Sequence, residues 1–335
     1  MYDFLSIGEM LIDFIPVPSE SGTVYQQNPG GSPANLACAL AKLGVKTGFI
    51  GKVGNDPFGH SCKAALEKSG VDISNLILSD EYQTPLAFIR REEDGKHFTF
   101  YRNETTADQN LTAEDINPEI FRDLKVFHFS SFSLTAEPSR STILNAAAMA
   151  RECGALITFD PNIRLNMWSS PEEAKAVILN CLPLVDILKL SIEDMEFLLP
   201  GMDERELSQQ LYQLYGTQMI IISRSAQGCY AYVNEDHYVS CAYETPVVDT
   251  TGAGDAFFAG IIFNLLTLHK NIFDLSSVEI TVMLDLANAL GSLAVTKPGA
   301  IDAFPTRREV VLCMENTPKI YPVSQENFWN DEDDA

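Results

Sequence analysis

The chain has 335 residues, of which 46% are hydrophobic, enough to bury a large core as one large or two smaller domains. Against 46 acidic residues stand 23 basic ones, and the formal charge of −23 repels phosphate backbones and anionic bilayers, so neither nucleic acid nor a membrane surface is an expected partner. The seven cysteines (Cys38, Cys62, Cys153, Cys181, Cys229, Cys241 and Cys313) are odd in number, scattered and never spaced as Cys-x-x-Cys, which points to a reduced, cytoplasmic setting. Met1-Tyr2-Asp3-Phe4 carries no basic region ahead of an apolar one, and no apolar run of about 18 residues is evident, so neither a signal peptide nor a membrane span is expected.

Phe4 to Gly8 reads as a short buried strand, and Leu11-Ile12-Asp13-Phe14-Ile15 as a second, interrupted by one carboxylate that needs a reason to be there. Asn28-Pro29-Gly30-Gly31-Ser32-Pro33-Ala34-Asn35 follows. Ser32 as N-cap, Pro33 at the first helical position and Gly44 after the last apolar turn define a helix. Gly30 and Gly31 let a small molecule approach the backbone, and Asn35 offers an amide suited to sugar hydroxyls.

Residues 57–69 predict a helix ending at Gly70; Thr84–Arg90 and His97–Arg102 predict strands joined at Asp94-Gly95. An isolated hairpin with aromatics on both faces would leave them exposed, which suggests a cover or an interface. From residue 125 the pattern alternates strand and helix: strands at 126–129, 155–160, 185–190 and 219–223, helices near 138–152, 172–180, 191–198 and 203–214, a hairpin through Asn234-Glu235-Asp236, and a long helix near 277–292. This predicts an α/β fold, a doubly wound, mostly parallel sheet flanked by helices, with function at the carboxyl ends of its strands.

Within that frame, Val247-Val248-Asp249-Thr250-Thr251-Gly252-Ala253-Gly254-Asp255-Ala256-Phe257 reads as strand, tight turn and helix start. The glycines bring successive N–H groups close to a ligand, and the helix adds unpaired amides and a positive dipole end, so an anion belongs there. Asp255, in the first helical turn, can take a proton from an attacking hydroxyl. The chain contains neither Gly-x-x-x-x-Gly-Lys-Ser/Thr nor Gly-x-Gly-x-x-Gly after the first strand, and its histidines (60, 97, 128, 237 and 269) lack zinc-ligand spacing.

Two stretches carry a family resemblance: Gly30-Gly31 with Asn35, running on through Gly51-Lys52-Val53-Gly54-Asn55-Asp56, and Asp249 to Asp255 with Gly260. They resemble, in the right order, the two signatures of the PfkB-type carbohydrate kinases of the ribokinase superfamily. The likeness runs over about residues 3–312 and is greatest to fructokinases, through Phe100-Tyr101-Arg102-Asn103, Asp160-Pro161-Asn162-Ile163-Arg164 and Lys297-Pro298-Gly299-Ala300. It implies a ribokinase-like domain over 1–320, with lid strands inserted at about 11–30 and 82–105 that cover the sugar and pair in a homodimer, followed by an acidic tail at 321–335.

The resemblance further implies ATP-dependent phosphorylation of a sugar, D-fructose to fructose 6-phosphate, with Asp255 as base and Gly252, Ala253 and Gly254 as anion hole. Asp13, Gly30, Gly31, Asn35, Tyr101, Arg102 and Arg164 would hold the sugar; Lys189, Ser223, Gly228, Gly254, Asn288 and Gly299 would bind ATP. Asp249, Thr251, Ala294 and Gly299 fall at positions for potassium, and Asp194 near the magnesium region. There the family's Asn-x-x-Glu appears as Ser191-Ile192-Glu193-Asp194, with both marker residues changed. A 2-keto-3-deoxygluconate kinase is the nearest rival, followed by ribose and nucleoside kinases; a catalytically silent sugar-binding protein is the rival of another class. Arg102 and Arg164 could clamp an acid, whereas Asp108, if it faces the sugar, would repel one.

Overall fold

The structure is a computed structural model that describes residues 2–17, 22–92 and 95–321. Its strands are β1 (Phe4–Ile7), β2 (Leu11–Val17), β3 (Val24–Gly30), β4 (Thr47–Gly54), β5 (Asp72–Ser79), β6 (Leu86–Glu92), β7 (Gly95–Tyr101), β8 (Val126–Ser130), β9 (Leu156–Asp160), β10 (Ile187–Ser191), β11 (Met219–Ser223), β12 (Cys229–Val233) and β13 (Asp236–Ser240). The helices are α1 (Ser32–Lys42), α2 (Pro57–Ser69), α3 (Ser139–Glu152), α4 (Pro171–Cys181), α5 (Ile192–Leu198), α6 (Glu204–Tyr215), α7 (Ala253–Leu268), α8 (Ser277–Ala294) and α9 (Arg307–Asn316).

One sheet has nine strands in the order β13-β12-β11-β10-β9-β8-β1-β4-β5, parallel from β11 to β5, with β12 antiparallel to both its neighbours. Alternation of side chains sends Phe4, Ile187, Met219 and Ile221 into one core, with α1, α2, α7, α8 and α9, while Leu5, Leu188, Ile220 and Ile222 enter the other, with α3 to α6. This is the expected doubly wound sheet. The second sheet has the order β3-β2-β6-β7; Asp13 of β2 sits opposite Asn28 and Ala87.

Local signals account for many boundaries. Asp56 caps α2 by accepting from the amides of Phe58 and Gly59, Pro57 opens the helix, and Gly70 closes it in the left-handed region. Asn234 and Glu235 both take positive φ in the two-residue turn between β12 and β13. The expected turn at Asp94 and the acidic run Asp331–Asp334 lie outside the described residues.

Three expectations need correction. Val247 and Val248 do not end a strand: they are exposed, and the amides of Val248 and Asp249 both donate to the Val295 carbonyl just past α8, so this segment bonds to a loop instead of joining the sheet. The N-cap of α1 is Gly31, not Ser32, whose side chain is used elsewhere. Finally, α8 does have the length and mean hydropathy (1.2 over 18 residues) of a membrane span, but its apolar residues Ile280, Met283, Leu284, Ala287 and Leu290 are buried in the core shared with α7 and α9.

Candidate active site

From β1 the chain proceeds to β4 and β5 on one side, then returns to β8 and continues to β11 on the other, so the topological switch lies between β1 and β8. Just beyond β1, buried Glu9 bridges the switch. Its amide donates to Ser133 Oγ at 2.8 Å, and its carboxylate accepts from Ser133 Oγ, from Ser130 Oγ at 3.3 Å and from the amide of Ser32 at 3.0 Å. Burial raises the pKa of Glu9, against the pull of the Ser133 hydrogen bond. Gly31 sits at φ 127°, where a Cβ would lie 2.4 Å from the Glu9 carbonyl oxygen. Only glycine lets β3 pass this close to Glu9 before turning into α1.

That crossing delivers Ser32 and Asn35 to Asp255 in the first turn of α7. Ser32 Oγ donates to Asp255 Oδ1 at 2.7 Å and Asn35 Nδ2 donates to Oδ2 at 2.9 Å. Asn35, expected to meet sugar hydroxyls, spends its amide on the carboxylate. Its Oδ1 is buried with no hydrogen-bond partner among the described residues, as is Asp160 Oδ1, and both can still accept from a ligand. Burial lifts the Asp255 pKa to about 7; the two hydrogen bonds oppose the rise, the Asp160 charge adds to it, and Lys189 opposes it. A carboxyl poised near neutrality inside a cleft is suited to taking a proton.

Gly252 precedes α7 at φ 77°, packed so that a Cβ would meet Ala300 Cβ at 2.8 Å. The sixteen-residue helix has no side-chain cap; the amide of Ala253, expected in the anion hole, donates to the Thr250 carbonyl at 3.3 Å, which leaves the turn's glycine amides to an anion. Lys189 Nζ lies 3.3 Å from the position a Cβ would take on Gly254 and pairs with Asp160 at 2.6 Å. Burial alone would lower its pKa, but Asp160, Asp194 and Asp255 hold it above its ordinary value and keep it cationic.

Two cavities meet at this turn. The first, of about 340 Å³, is lined by Glu9, Asp13, Asn35, Arg164, Lys189 and Asp255, and is covered by Phe98 and Phe100 of β7. The second, of about 400 Å³ and mostly apolar, is lined by Ser223, Gly228, Tyr243, Phe257, Asn288 and Val295. Thr250 and Gly254 line both. A group held in one can therefore reach a group held in the other across the anion turn, past Asp255.

The first cavity also holds Gly31, Thr251 and Gly252, and the second Ala253, all predicted from sequence. Lys189, expected beside ATP, lines the first cavity instead. Gly30 abuts Asp13, its Cβ position 2.8 Å from Oδ2, without lining the cavity. Tyr101 is 62% exposed and lines neither cavity. Arg102 does not line the first cavity but lies behind its wall: it pairs with Asp108, both side chains fully buried, donates to Thr135 Oγ1 at 2.6 Å and stacks 4.4 Å from the ring centroid of Phe132, which does line it. Asp108 therefore does not face the cavity, and repulsion of an acid from that position falls away.

Asp194 lines neither cavity. Its oxygens accept from the amide and hydroxyl of Ser191, the N-cap of α5, and from the amide of Ile163, so it completes that helix's capping box and ties down the loop after β9. Asp249 accepts from the amide and hydroxyl of Thr251 and from the amide of Gly299, which draws the loop after α8, including the end of that helix at Ala294, up to the anion turn. Gly299 itself lines a separate cavity with Asn28 and Lys297. Arg224 pairs with Glu204 at 2.7 Å and stacks on Tyr230. Glu9, Ser32 and Phe98 were missed. The available signals were a lone carboxylate at the end of the first strand, a serine absorbed by the capping pattern, and aromatics alternating along β7.

A family model described as pfkB family carbohydrate kinase matches residues 1–307. Fructokinase-1 of Zea mays is 37% identical over 318 residues, covering 93% of this chain and 97% of that protein. Among solved structures, fructokinase from Xylella fastidiosa with bound ATP superposes with a TM-score of 0.87 at 28% identity, over 94% of this chain and 99% of that one. Fructokinase from Vibrio cholerae O395 in a fructose, ADP and calcium ion bound form superposes with a TM-score of 0.85 at 30% identity, over 93% and 99%. A double mutant of the latter is in a fructose, ADP and potassium ion bound form, with a TM-score of 0.85 at 29% identity over 93% and 98%.

Proposed function

The chain belongs to the pfkB family of carbohydrate kinases, and from that membership we propose that it is a fructokinase, transferring the terminal phosphoryl group of ATP to the 6-hydroxyl of D-fructose. The observation that carries the reading is the position of Asp255, where the sugar-sized cavity lined by charged side chains meets the mostly apolar one. Fructose occupies the first cavity under Phe98 and Phe100, with Asp13, Asn35 Oδ1, Asp160 and Arg164 as its polar contacts. ATP occupies the second, its base toward Asn288 and Gly228 and its phosphates toward Gly254. Asp255 takes the proton of the attacking hydroxyl as the new P–O bond forms. The amides of Gly252 and Gly254 and the Lys189 ammonium stabilise the charge on the transferring phosphoryl group.

The residues proposed for magnesium do not fit as direct ligands, because Asp194 is committed to α5 and the Ile163 amide. Magnesium would instead be held by the nucleotide's own phosphates, where it would offset their charge. The potassium residues Asp249, Thr251 and Gly299 are gathered in one place. The Asp249 carboxylate accepts from the Gly299 amide and its own amide donates to the Val295 carbonyl just past α8, which brings a carboxylate to the loop that follows this helix. An ion there would steady the turn before Gly252.

The sheet β3-β2-β6-β7 is the lid, and the packed rings of Phe14, Phe88, Tyr25 and Tyr101 on one of its faces, with Tyr101 exposed, support a homodimer through this face. None of the seven cysteines is in a disulfide, which supports a cytoplasmic enzyme. The test is a coupled ADP-release assay over ketoses, aldoses, nucleosides and sugar acids; failure of fructose to lead the panel overturns the reading. The second reading, a 2-keto-3-deoxygluconate kinase, rests on Arg164 lining the sugar cavity. A higher kcat/KM for that acid, collapsing in Arg164→Ala, would establish it.

A further inference from the structure

After α9 the chain turns back across the molecule. The Glu244 amide donates to the Pro318 carbonyl at 2.9 Å, Lys319 pairs antiparallel with Tyr243, and the Ile320 amide donates to the Ala242 carbonyl at 2.8 Å. Lys319 Nζ stands 5.7 Å from the Tyr243 ring centroid and donates to Asp285 Oδ1 of α8 at 2.6 Å. The same oxygen accepts from Ser240 Oγ at 2.6 Å, and Ser240 Oγ accepts from Asn288 Nδ2 at 2.9 Å. Ile320, Ala242, Tyr243 and Asn288 all line the second cavity.

We propose that Pro318–Ile320 is a clip that forms one wall of the nucleotide cavity, with Ile320 packing on the base and Lys319 locking the segment to α8. This rests on the reading of that cavity as the ATP site. Asn288, tied to the clip through Ser240 and Asp285, lies nearly one helical turn before Gly291, which abuts the Ala253 carbonyl at the anion turn. The clip therefore faces the end of the cavity away from the phosphates, where an apolar wall suits a flat base. Its charge pair holds the segment in place, and its backbone bonds leave the Ile320 side chain to the ligand.

Two shortened chains test this, one ending at Tyr321 and one at Thr317, with ATP affinity measured by titration calorimetry and fructose KM by the coupled assay. The chain ending at Tyr321 should match the full chain. That ending at Thr317 should bind ATP about tenfold more weakly, with fructose KM within about twofold. In the full chain, Ile320→Ser should weaken ATP about threefold or more, which keeps the test decisive if the shorter chain does not fold. Equal ATP affinity in Ile320→Ser and wild type would overturn the clip. If Asn288→Leu also left ATP binding untouched, the nucleotide would lie elsewhere, and the cavity reading would fail with it.

Discussion

Ser32 Oγ donates a 2.7 Å hydrogen bond to Asp255 Oδ1 across 223 positions of sequence. The bond joins the entry of α1 to the first turn of α7, and with the Asn35 amide it aims the carboxylate and stabilises its charged form.

Asp255→Asn keeps the size and one acceptor but cannot take a proton. Turnover should fall by about 10²–10⁴ while fructose affinity stays within a few-fold. Single-turnover rates with a direct binding measurement separate the two effects, and near-normal turnover would remove Asp255 as the base.

With its pKa lifted to about 7, Asp255 is protonated in the folded enzyme well above the pH at which a free carboxyl ionises. Activity should therefore rise with pH through about 7 as the base becomes available. Stability runs the other way. Because the folded state holds this proton more tightly than the unfolded one, its contribution is full below the ordinary carboxyl pKa and is lost as pH rises through about 7. Thermal melts from pH 5 to 8 should show a shallower decline in Asp255→Asn than in wild type; parallel curves would refute the assignment.

Ser32→Ala removes a donor that lowers the Asp255 pKa, so the rising limb of the kcat/KM profile should move to higher pH. A loss of rate that is uniform with pH would mean that Ser32 only packs.

Arg102 and Asp108 pair with both side chains fully buried, and neither lines the sugar cavity. Arg102→Met strands a buried carboxylate and should destabilise the fold by about 3–5 kcal/mol, with partial recovery when Asp108→Leu is added. Chemical denaturation of the single and double variants reads this directly. A large rise in fructose KM without loss of stability would return Arg102 to the sugar site.

If potassium occupies the loop between Asp249 and Gly299, replacing it with a bulky organic cation should reduce kcat several-fold. Asp249→Asn should abolish that dependence. Equal rates in both cations would leave Asp249 as a clamp between the two loops.

Local chemistry in the sequence was enough to predict most of the helices, the strand-helix alternation and the glycine turn before Asp255. Each depends on residues within a turn or two of one another: Asp56 and Pro57 opening α2, Asn234 and Glu235 reversing a hairpin, apolar residues repeating with the period of strand or helix. The same local reading made Ser32 a cap and Val247-Val248 a strand, because capping preference and β-branching do not reveal a remote partner. Only the folded chain decided that Ser32 serves Asp255, that Arg102 is consumed by Asp108, that Lys189 lies under Gly254 and that Glu9 bridges the first and eighth strands. Buried polar groups must find hydrogen-bond partners wherever the topology brings them, and those partners are chosen by the packing of the sheet and helices, not by distance along the chain.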